Sequence, residues 1–197
     1  MKKRRLIIIM LLMTIVLTGC WNRRELNELA IAVGFGVDKD GEQYRFSVQV
    51  VDPGEVAANK GGTSGRTPVT MYHMSAPTIF EALRKMTTVS PRKIYNSHLR
   101  ILVIGEAVAK DGLGEVLDFV SRDQEMRTDF YIVVAKEGHT AEEALKILTP
   151  IEKIPANNLF HSLAASAKAW APSTTVTLDQ LIADLVSEGK QPVLTGL

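Results

Sequence analysis

The chain has 197 residues, with 23 basic and 22 acidic side chains, 46% hydrophobic residues and a single cysteine. This composition is that of one ordinary globular domain or two small ones, and it argues against a disordered or polytopic membrane chain. One cysteine excludes an intrachain disulfide and any cysteine-based zinc or iron–sulfur cluster. The formal charge of +1 argues against a nucleic-acid binder, which usually carries a clear basic excess.

The N-terminus has the pattern of a secretory signal peptide, which we assign to residues 1–19. Basic residues at positions 2–5 precede a segment, residues 6–17, that is apolar except for Thr14. A helix of that length extends about 18 Å, well short of the ~30 Å hydrocarbon core of a bilayer. We therefore interpret this segment as the apolar part of a signal peptide and not as a membrane span.

The sequence Leu-Thr-Gly-Cys at residues 17–20 resembles the lipobox of bacterial lipoproteins. In that class a diacylglyceryl group with acyl chains such as palmitate is attached to the cysteine, and the signal peptide is cleaved before it. The resemblance implies lipidation of Cys20 and stable anchoring, because two acyl chains hold a protein at a membrane far better than one. An ordinary signal peptide with an incidental cysteine is the alternative.

The mature chain would have 178 residues and a formal charge of −3, since the removed segment carries four positive charges and no negative ones. That length is sufficient for a real hydrophobic core. We take residues 20–29 as the lipidated N-terminus and tether. Within it, Trp21 suits the lipid headgroup region. Packing of its ring against the folded domain is an equally weighted alternative.

Residues 30–50 predict a β-hairpin. The first strand alternates with period two, and its small-residue face would let another element approach closely. A turn containing Gly41 follows, and residues 44–50 alternate again. The predicted faces of the first strand are Ile31, Val33, Phe35 and Val37 on one side and Ala30, Ala32, Gly34 and Gly36 on the other.

The remainder predicts an α+β fold, with a mixed β-sheet that includes the N-terminal hairpin and packs with several α-helices. Residues 52–68 are rich in Gly, Ser, Thr and Asn and predict a mobile surface loop. Ser75 is a candidate N-cap, and Thr177 with Gln180 has the form of a capping box. Strands are predicted at 69–74, 99–104 and 130–135, and helices after Ser75, at 112–121, 141–148 and 158–170, and after Thr177.

The C-terminal residues 192–197 are mostly apolar, as in the middle of an element, so we expect a truncated chain. Residues 30–197 are predicted to form the α+β domain, and the start of a second domain after about residue 172 stays open.

A search for catalytic motifs finds no convincing site. The pair of glycines in Gly34-Phe35-Gly36 lacks the third glycine of a dinucleotide-binding motif, and a hairpin follows where a helix should begin. The four histidines are isolated in the sequence. Ser97 and His98 are neighbours, and neighbours on a strand point to opposite faces. We therefore predict no enzymatic activity, no cofactor and no metal.

Candidate contact residues lie at two places in the predicted domain. His98 directly precedes the predicted buried strand at 99–104, where it is either a hydrogen-bonded structural histidine or a contact residue. Between a predicted helix and the next strand, Arg122, Asp123, Glu125 and Arg127 form a dense mixed-charge patch. A local ion-pair network and a docking surface are both compatible with this patch.

Five short motifs occur in a fixed order along the chain. They are Gly-Cys-Trp-Asn-Arg-Arg-Glu-Leu at 19–26, Gly-Phe-Gly-Val-Asp at 34–38, Tyr-Asn-Ser-His at 95–98, Ile-Gly-Glu at 104–106 and Arg-Asp-Gln-Glu-Met-Arg at 122–127. Together they resemble the N-terminal part of the Ger(x)C spore germination lipoproteins, the C subunits of nutrient germinant receptors. Asn22 is a departure, because the family pattern has aspartate after the tryptophan.

This resemblance implies a lipid-anchored subunit on the extracytoplasmic face of the inner spore membrane. Its implied partners are membrane lipids, a polytopic A subunit and a transporter-like B subunit, and it implies no enzymatic activity. Family members are usually longer, with further domains after the first. The candidate contacts are then Trp21, His98 and the patch, and binding of a small-molecule germinant stays open.

A lipoprotein that captures a small solute and delivers it to a membrane transporter is the alternative function. Such proteins usually have two lobes around a ligand cleft, and 178 residues are few for that architecture. An extracellular hydrolase has less support, because the sequence offers no nucleophile paired with a base.

Overall fold

The computed structural model describes residues 2–16, 25, 28–52, 54, 56, 67–149, 151–170 and 173–197. These residues form seven strands, seven α-helices and a 3₁₀-helix at Met86–Thr88. The strands are β1 (Leu29–Asp40), β2 (Gln43–Val51), β3 (Val69–Ala76), β4 (Lys93–Tyr95), β5 (Ile101–Gly105), β6 (Tyr131–Ala135) and β7 (Thr195–Gly196). The α-helices are α1 (Lys2–Val16), α2 (Ile79–Lys85), α3 (Glu106–Asp111), α4 (Gly114–Arg122), α5 (Ala141–Ala144), α6 (Pro155–Ala169) and α7 (Leu178–Val186).

One mixed sheet organises the domain, in the strand order β3-β2-β1-β5-β6-β7. Strands β1, β2 and β3 form an antiparallel meander, whereas β5 pairs parallel to β1, β6 to β5 and β7 to β6. The short strand β4 pairs parallel to the first residues of β1, with Lys93 opposite Leu29. The predicted α+β class and the N-terminal hairpin are confirmed.

Helices cover both faces of this sheet. Helices α2, α3, α4 and α7 pack on what we call the first face, and α5 and α6 pack on the second face. Strands β5 and β6 are therefore buried on two sides, as is usual for continuous apolar runs in parallel sheets. The first-face core includes Phe35, Phe46, Ile79, Phe119 and Leu181, and the second-face core includes Val33, Ile101, Val133, Leu145 and Ala156.

A β-bulge in β1 makes the predicted alternation wrong. The register with β2 shifts between Ala32 and Gly34, so that the strand gains one residue there. Ala32 and Phe35 therefore share the first face, while Val33 lies in the second-face core. Alternation alone could not predict this change, because a bulge depends on how the neighbouring strand pairs.

The two glycines of β1 allow close packing on the second face, as the sequence predicted. A Cβ atom at Gly34 would lie 2.8 Å from the Leu145 side chain and 3.0 Å from Cβ of Ala156. A Cβ atom at Gly36 would lie 3.2 Å from Cβ of Ala141. The absence of side chains at these positions therefore lets α5 and the start of α6 lie directly against the strand.

Several predicted helix boundaries are corrected by the structure. The N-cap of α2 is Thr78, whose hydroxyl accepts from the Glu81 amide, while Ser75 belongs to β3 and donates to Asp40 Oδ2. The helix expected at 112–121 begins at Gly114, since Gly112 has a φ of 120° that ends α3. Helix α3 and strand β4 were not predicted.

The capping box at the start of α7 is confirmed. Its N-cap is Thr177, and the Gln180 side chain accepts a hydrogen bond from the Thr177 amide. The helix predicted at 141–148 is shorter, because α5 ends at Ala144.

The N-terminal apolar segment forms α1, which has 15 residues. Within the described part of the chain, no helix combines the length and apolar character needed to cross a membrane. Cys20, Trp21 and most of the predicted loop at 52–68 lie outside the described residues.

Candidate protein-contact surface

Hydrogen bonds join the end of β4 to the segment that follows α4. Asn96 Nδ2 donates to Asp123 Oδ2 at 3.1 Å, and Ser97 Oγ donates to the Glu125 carbonyl oxygen at 2.6 Å. Lys93 Nζ lies 2.6 Å from Glu125 Oε1. We call Lys93, Asn96, Ser97, Asp123 and Glu125 the strand-end cluster. Lys93 begins β4 and pairs with Leu29, the first residue of β1.

Asp123 organises the turn after α4. It is the C-cap of that helix and has extended backbone angles. Its Oδ1 atom accepts from the Glu125 amide at 2.8 Å, which closes an Asx-turn. Both carboxylate oxygens therefore accept hydrogen bonds from uncharged donors. Among the described residues, no lysine, arginine or histidine forms an ion pair with Asp123.

The other members of the predicted patch form separate local ion pairs. Arg122 Nε lies 2.6 Å from Asp118 Oδ1 one turn earlier in α4, and Arg127 Nη2 lies 2.9 Å from Asp129 Oδ2. All four side chains are exposed, so each pair contributes little to stability. The structure thus brings Asp123 and Glu125 into the strand-end cluster and leaves the two arginines on its periphery.

His98 follows the strand-end cluster in the turn before β5. Its side chain is exposed, and its ring centroid lies 5.8 Å from that of Tyr95. The neighbouring Ser97 hydroxyl donates to a backbone carbonyl and not to the imidazole.

A surface groove of about 820 Å³ runs between α2 and α4 and ends at the strand-end cluster. Its apolar lining includes Ile79, Leu83, Ile94 and Phe119. At its edge the Phe80 ring is 54% exposed. The groove was missed in the sequence because it needs two helices that are far apart in the chain to pack side by side on one face of the sheet.

Asn96 is the most enclosed polar residue of this groove. It is only 2% exposed, and its Oδ1 atom accepts no hydrogen bond from any described residue. Buried amide oxygens in proteins are nearly always paired, so this acceptor is unusual. Asn96 Oδ1 and the Asp123 carboxylate therefore place acceptor groups without a cationic donor at one end of an apolar groove.

On the second face, Gln49 is a buried polar residue whose amide is fully used. Its Nε2 donates to the Leu145 carbonyl oxygen, and its Oε1 accepts from the Ala156 amide at 2.9 Å. One side chain thereby fastens the end of α5 and the start of α6 to β2. The alternating pattern of β2 gave no sign of this role, because Gln49 occupied an apparently solvent-facing position.

Asp38 is another buried polar residue on this face. Its carboxylate accepts from the amides of Ala141 and Glu142 at 2.8 and 3.2 Å, and so binds the first turn of α5. Burial raises the pKa of Asp38, although these two hydrogen bonds oppose the shift. A Cβ atom at Gly105 would lie only 2.5 Å from Asp38 Oδ1, so that glycine makes room for the carboxylate.

Glu142 completes the second-face network with basic partners. Burial by itself raises the pKa of Glu142, but the Lys146 hydrogen bond at 2.6 Å and the nearby Arg45 and His73 lower it overall. Arg45 Nε donates to Glu142 Oε2 at 2.9 Å. Among the residues that the structure describes, no group of three or more potential ligands could hold a metal ion.

Comparison with known proteins identifies the family. The spore germination protein N-terminal domain matches residues 22–197. The chain is 38% identical to spore germination protein KC of Bacillus subtilis (strain 168), over 99% of this chain and 49% of that protein. It is 25% identical to spore germination protein A3 of the same organism, over 92% of this chain and 48% of that protein.

The chain therefore belongs to the Ger(x)C family of spore germination proteins. It spans about half the length of the curated relatives it matches. No solved structure matches it.

Proposed function

We propose that the chain is a lipid-anchored subunit of a spore nutrient germinant receptor. In this role it acts without enzymatic activity, through contacts with a polytopic A subunit and a transporter-like B subunit. It is held on the extracytoplasmic face of the inner spore membrane. Family membership and the spore germination proteins among its relatives support this proposal.

The position of the strand-end cluster is the observation that carries the protein-contact role. Among the described residues, β1 is the first strand after the proposed anchor at Cys20, and it begins at Leu29. Nine residues of extended chain reach at most about 30 Å. Leu29 pairs with Lys93, which bonds to Glu125 in the strand-end cluster. A lipid on Cys20 would therefore keep this cluster near the membrane surface, where polytopic partners expose their loops.

Restriction to a surface also strengthens weak contacts. A tethered domain meets membrane partners at a high effective concentration, so a modest interface is sufficient for stable association. The candidate contacts are Trp21, His98, Arg122 and Arg127, together with Asp123 and Glu125 of the strand-end cluster.

Recovery of the full-length protein from spore membranes tests this function. We expect a tagged wild-type protein to carry a diacylglyceryl group on Cys20 by mass spectrometry and to co-purify with both receptor chains. The Cys20→Ala variant should lose membrane association and most of the co-purification. An unmodified Cys20 thiol in the membrane-bound protein, or the absence of receptor chains from the wild-type sample, would contradict the proposal.

A solute-binding lipoprotein is the second candidate, and the groove volume favours it. About 820 Å³ lies within the size range of small-molecule sites, roughly 300–1,000 Å³. Calorimetry of the full chain with amino acids, sugars and nucleosides separates the two candidates. Tight binding of a solute without any partner protein would support this second function.

A further inference from the structure

The groove between α2 and α4 combines two features that belong to a binding site for a polypeptide. Its interior includes apolar side chains, and its edges carry charged side chains, two pairs of which, Arg122 with Asp118 and Lys93 with Glu125, are joined as ion pairs. An apolar centre with a polar rim is the usual composition of a protein interface. The exposed Phe80 ring, with the Arg84 guanidinium 4.8 Å from its centroid, extends the apolar surface outward.

The end of the groove at the strand-end cluster has a specific chemical requirement. The amide of Asn96 donates to Asp123, and this bond identifies Oδ1 as the atom left without a donor. Asp123 carries a negative charge and has no cationic partner among the described residues. Both groups are acceptors, so what is missing is a donor, and a cationic donor would also balance the charge.

We infer that this groove binds a segment of a partner receptor subunit that presents apolar side chains to α2 and α4 and one lysine or arginine to Asn96 and Asp123. The inference rests on the proposed function and specifies the chemistry of the partner. An arginine has several N–H donors in a planar fork and can bond both acceptors at once. Rotation about χ2 of Asn96, a torsion with a broad energy profile, would turn the enclosed Oδ1 atom toward the groove and break the Nδ2–Asp123 hydrogen bond, which the incoming cation would replace at Asp123.

A polypeptide accounts for the whole groove better than a small amine does. An ammonium group alone would occupy only the end formed by Asn96 and Asp123. It would leave the apolar lining beside Leu83 and Phe119 and the exposed Phe80 ring without a partner. Aromatic residues, phenylalanine among them, are enriched in protein interfaces relative to the rest of the surface.

Photocrosslinking locates the occupant. A benzoylphenylalanine at position 80 in the full-length, membrane-bound protein should crosslink to a receptor subunit, within a segment that contains a lysine or arginine. The same probe at position 89 is the matched control, since Val89 is 51% exposed and does not line the groove. A crosslink at position 80 to this chain itself, or to no receptor subunit, would overturn the inference.

Charge variants test the cationic contact. Asp123→Asn should lower recovery of the crosslinked partner about tenfold, the effect of losing one charge-assisted hydrogen bond. Asp129→Asn, which removes an exposed carboxylate outside the groove, should have no effect. Asp123→Lys should abolish recovery, and reversing the crosslinked basic residue of the partner to aspartate should restore it.

A second pair of variants keeps the test valid if Asp123 variants fold poorly. Phe80→Asp changes a surface residue and should reduce partner recovery about tenfold or more. Val89→Asp introduces the same charge on an equally exposed residue and should leave recovery unchanged. Circular dichroism of each purified variant verifies that the fold is retained.

The outcomes separate this inference from the proposed function. If the wild-type protein recovers no receptor chain, the proposed function fails. If it recovers both chains and the Phe80 and Asp123 variants do so equally well, only the groove inference fails. The protein alone could instead bind a primary amine tightly, with no competition from any partner segment. That result would make the groove a small-solute site, and the inference of a polypeptide occupant would fail.

Discussion

Two buried polar side chains on the second face, Gln49 and Asp38, and one on the first face, Asn96, differ in how completely they are hydrogen-bonded. On the second face, Gln49 and Asp38 bond to backbone groups of α5 and α6, and every one of their side-chain oxygens has a partner. On the first face, Asn96 Oδ1 is enclosed without a partner, beside an open groove. A satisfied buried network fastens elements together, whereas an unsatisfied acceptor at a groove marks a place where another molecule can supply the missing donor.

We therefore expect the hydrogen-bond network of Gln49 and Asp38 to contribute to stability, and the groove on the first face to contribute to association with a partner. Variants on the second face should lower the free energy of unfolding. Variants in the groove should leave it nearly unchanged while they weaken partner recovery.

The largest effect is expected for Gln49→Leu. The substitution leaves the Leu145 carbonyl and the Ala156 amide buried without partners, at about 1–3 kcal/mol each. We expect urea denaturation to give a free energy of unfolding lower by about 2–6 kcal/mol. Gln43→Leu, on an exposed residue of the same strand, is the control and should change it by less than about 0.5 kcal/mol. Equal effects of the two substitutions would refute the fastening role.

Gly34→Ala should be the next most destabilising change. Its new Cβ atom would lie 2.8 Å from Leu145 Cδ2 and 3.0 Å from Ala156 Cβ, so the Leu145 side chain must shift and Ala156 must yield slightly. Overpacking of this kind costs about 1–3 kcal/mol, measurable as a lower midpoint of thermal unfolding. Gly114→Ala meets no atom within 4 Å and should be neutral or stabilising. An unchanged midpoint for Gly34→Ala would show that the contact is loose.

The two buried carboxylates should have opposite pH dependences. The pKa of Glu142 is lowered in the folded protein, so its ionised form stabilises the fold above its ordinary pKa of 4.5. We expect Glu142→Gln to cost about 1.5 kcal/mol at pH 6.5 and progressively less as the pH falls below 4.5. The pKa of Asp38 is raised from 3.8, so wild type should lose stability relative to Asp38→Asn as the pH rises through that value.

Denaturation curves between pH 3.5 and 6.5 measure both differences. Glu188→Gln, on an exposed residue beyond α7, is the control and should follow wild type throughout. Parallel pH profiles for the Glu142 and Asp38 variants would contradict the assignment of opposite shifts.

The smallest effect on stability is expected for Asp123→Asn. The new amide can donate to Asn96 Oδ1 if the Asn96 carboxamide turns over, so one lost hydrogen bond is replaced by another. We expect the free energy of unfolding to change by less than about 1 kcal/mol, although partner recovery falls about tenfold. If the free energy of unfolding fell by several kcal/mol, the strand-end cluster would be needed for stability, as Gln49 is.

Local sequence patterns predicted the elements whose signals lie within a few residues. The Thr177 capping box, the hairpin turn at Gly41 and the buried strands β5 and β6 are examples, because caps, turns and apolar runs act over short distances. The patterns failed where pairing partners decide the outcome. The bulge between Ala32 and Gly34 depends on the register with β2, and the three residues of β4 form a strand because β1 lies beside them.

The candidate site was likewise predictable from the sequence only in part. Residues 122–127 were recognisable as a charged patch, and a single cysteine after an apolar segment predicts an anchor at Cys20, which remains a prediction. The groove and the unpaired Asn96 oxygen were not predictable, since they arise from α2, β4 and α4, which are separated in the chain and meet only on the folded sheet.

The amino-acid sequence by itself determined the class of fold, the signal-peptide pattern and the family resemblance, because these depend on periodicity, composition and ordered short motifs. Only the tertiary structure decided which polar side chains are satisfied and which are not. Hydrogen bonding of a buried group depends on which donors and acceptors the rest of the chain brings within about 3 Å of it. The local sequence does not specify which groups those are.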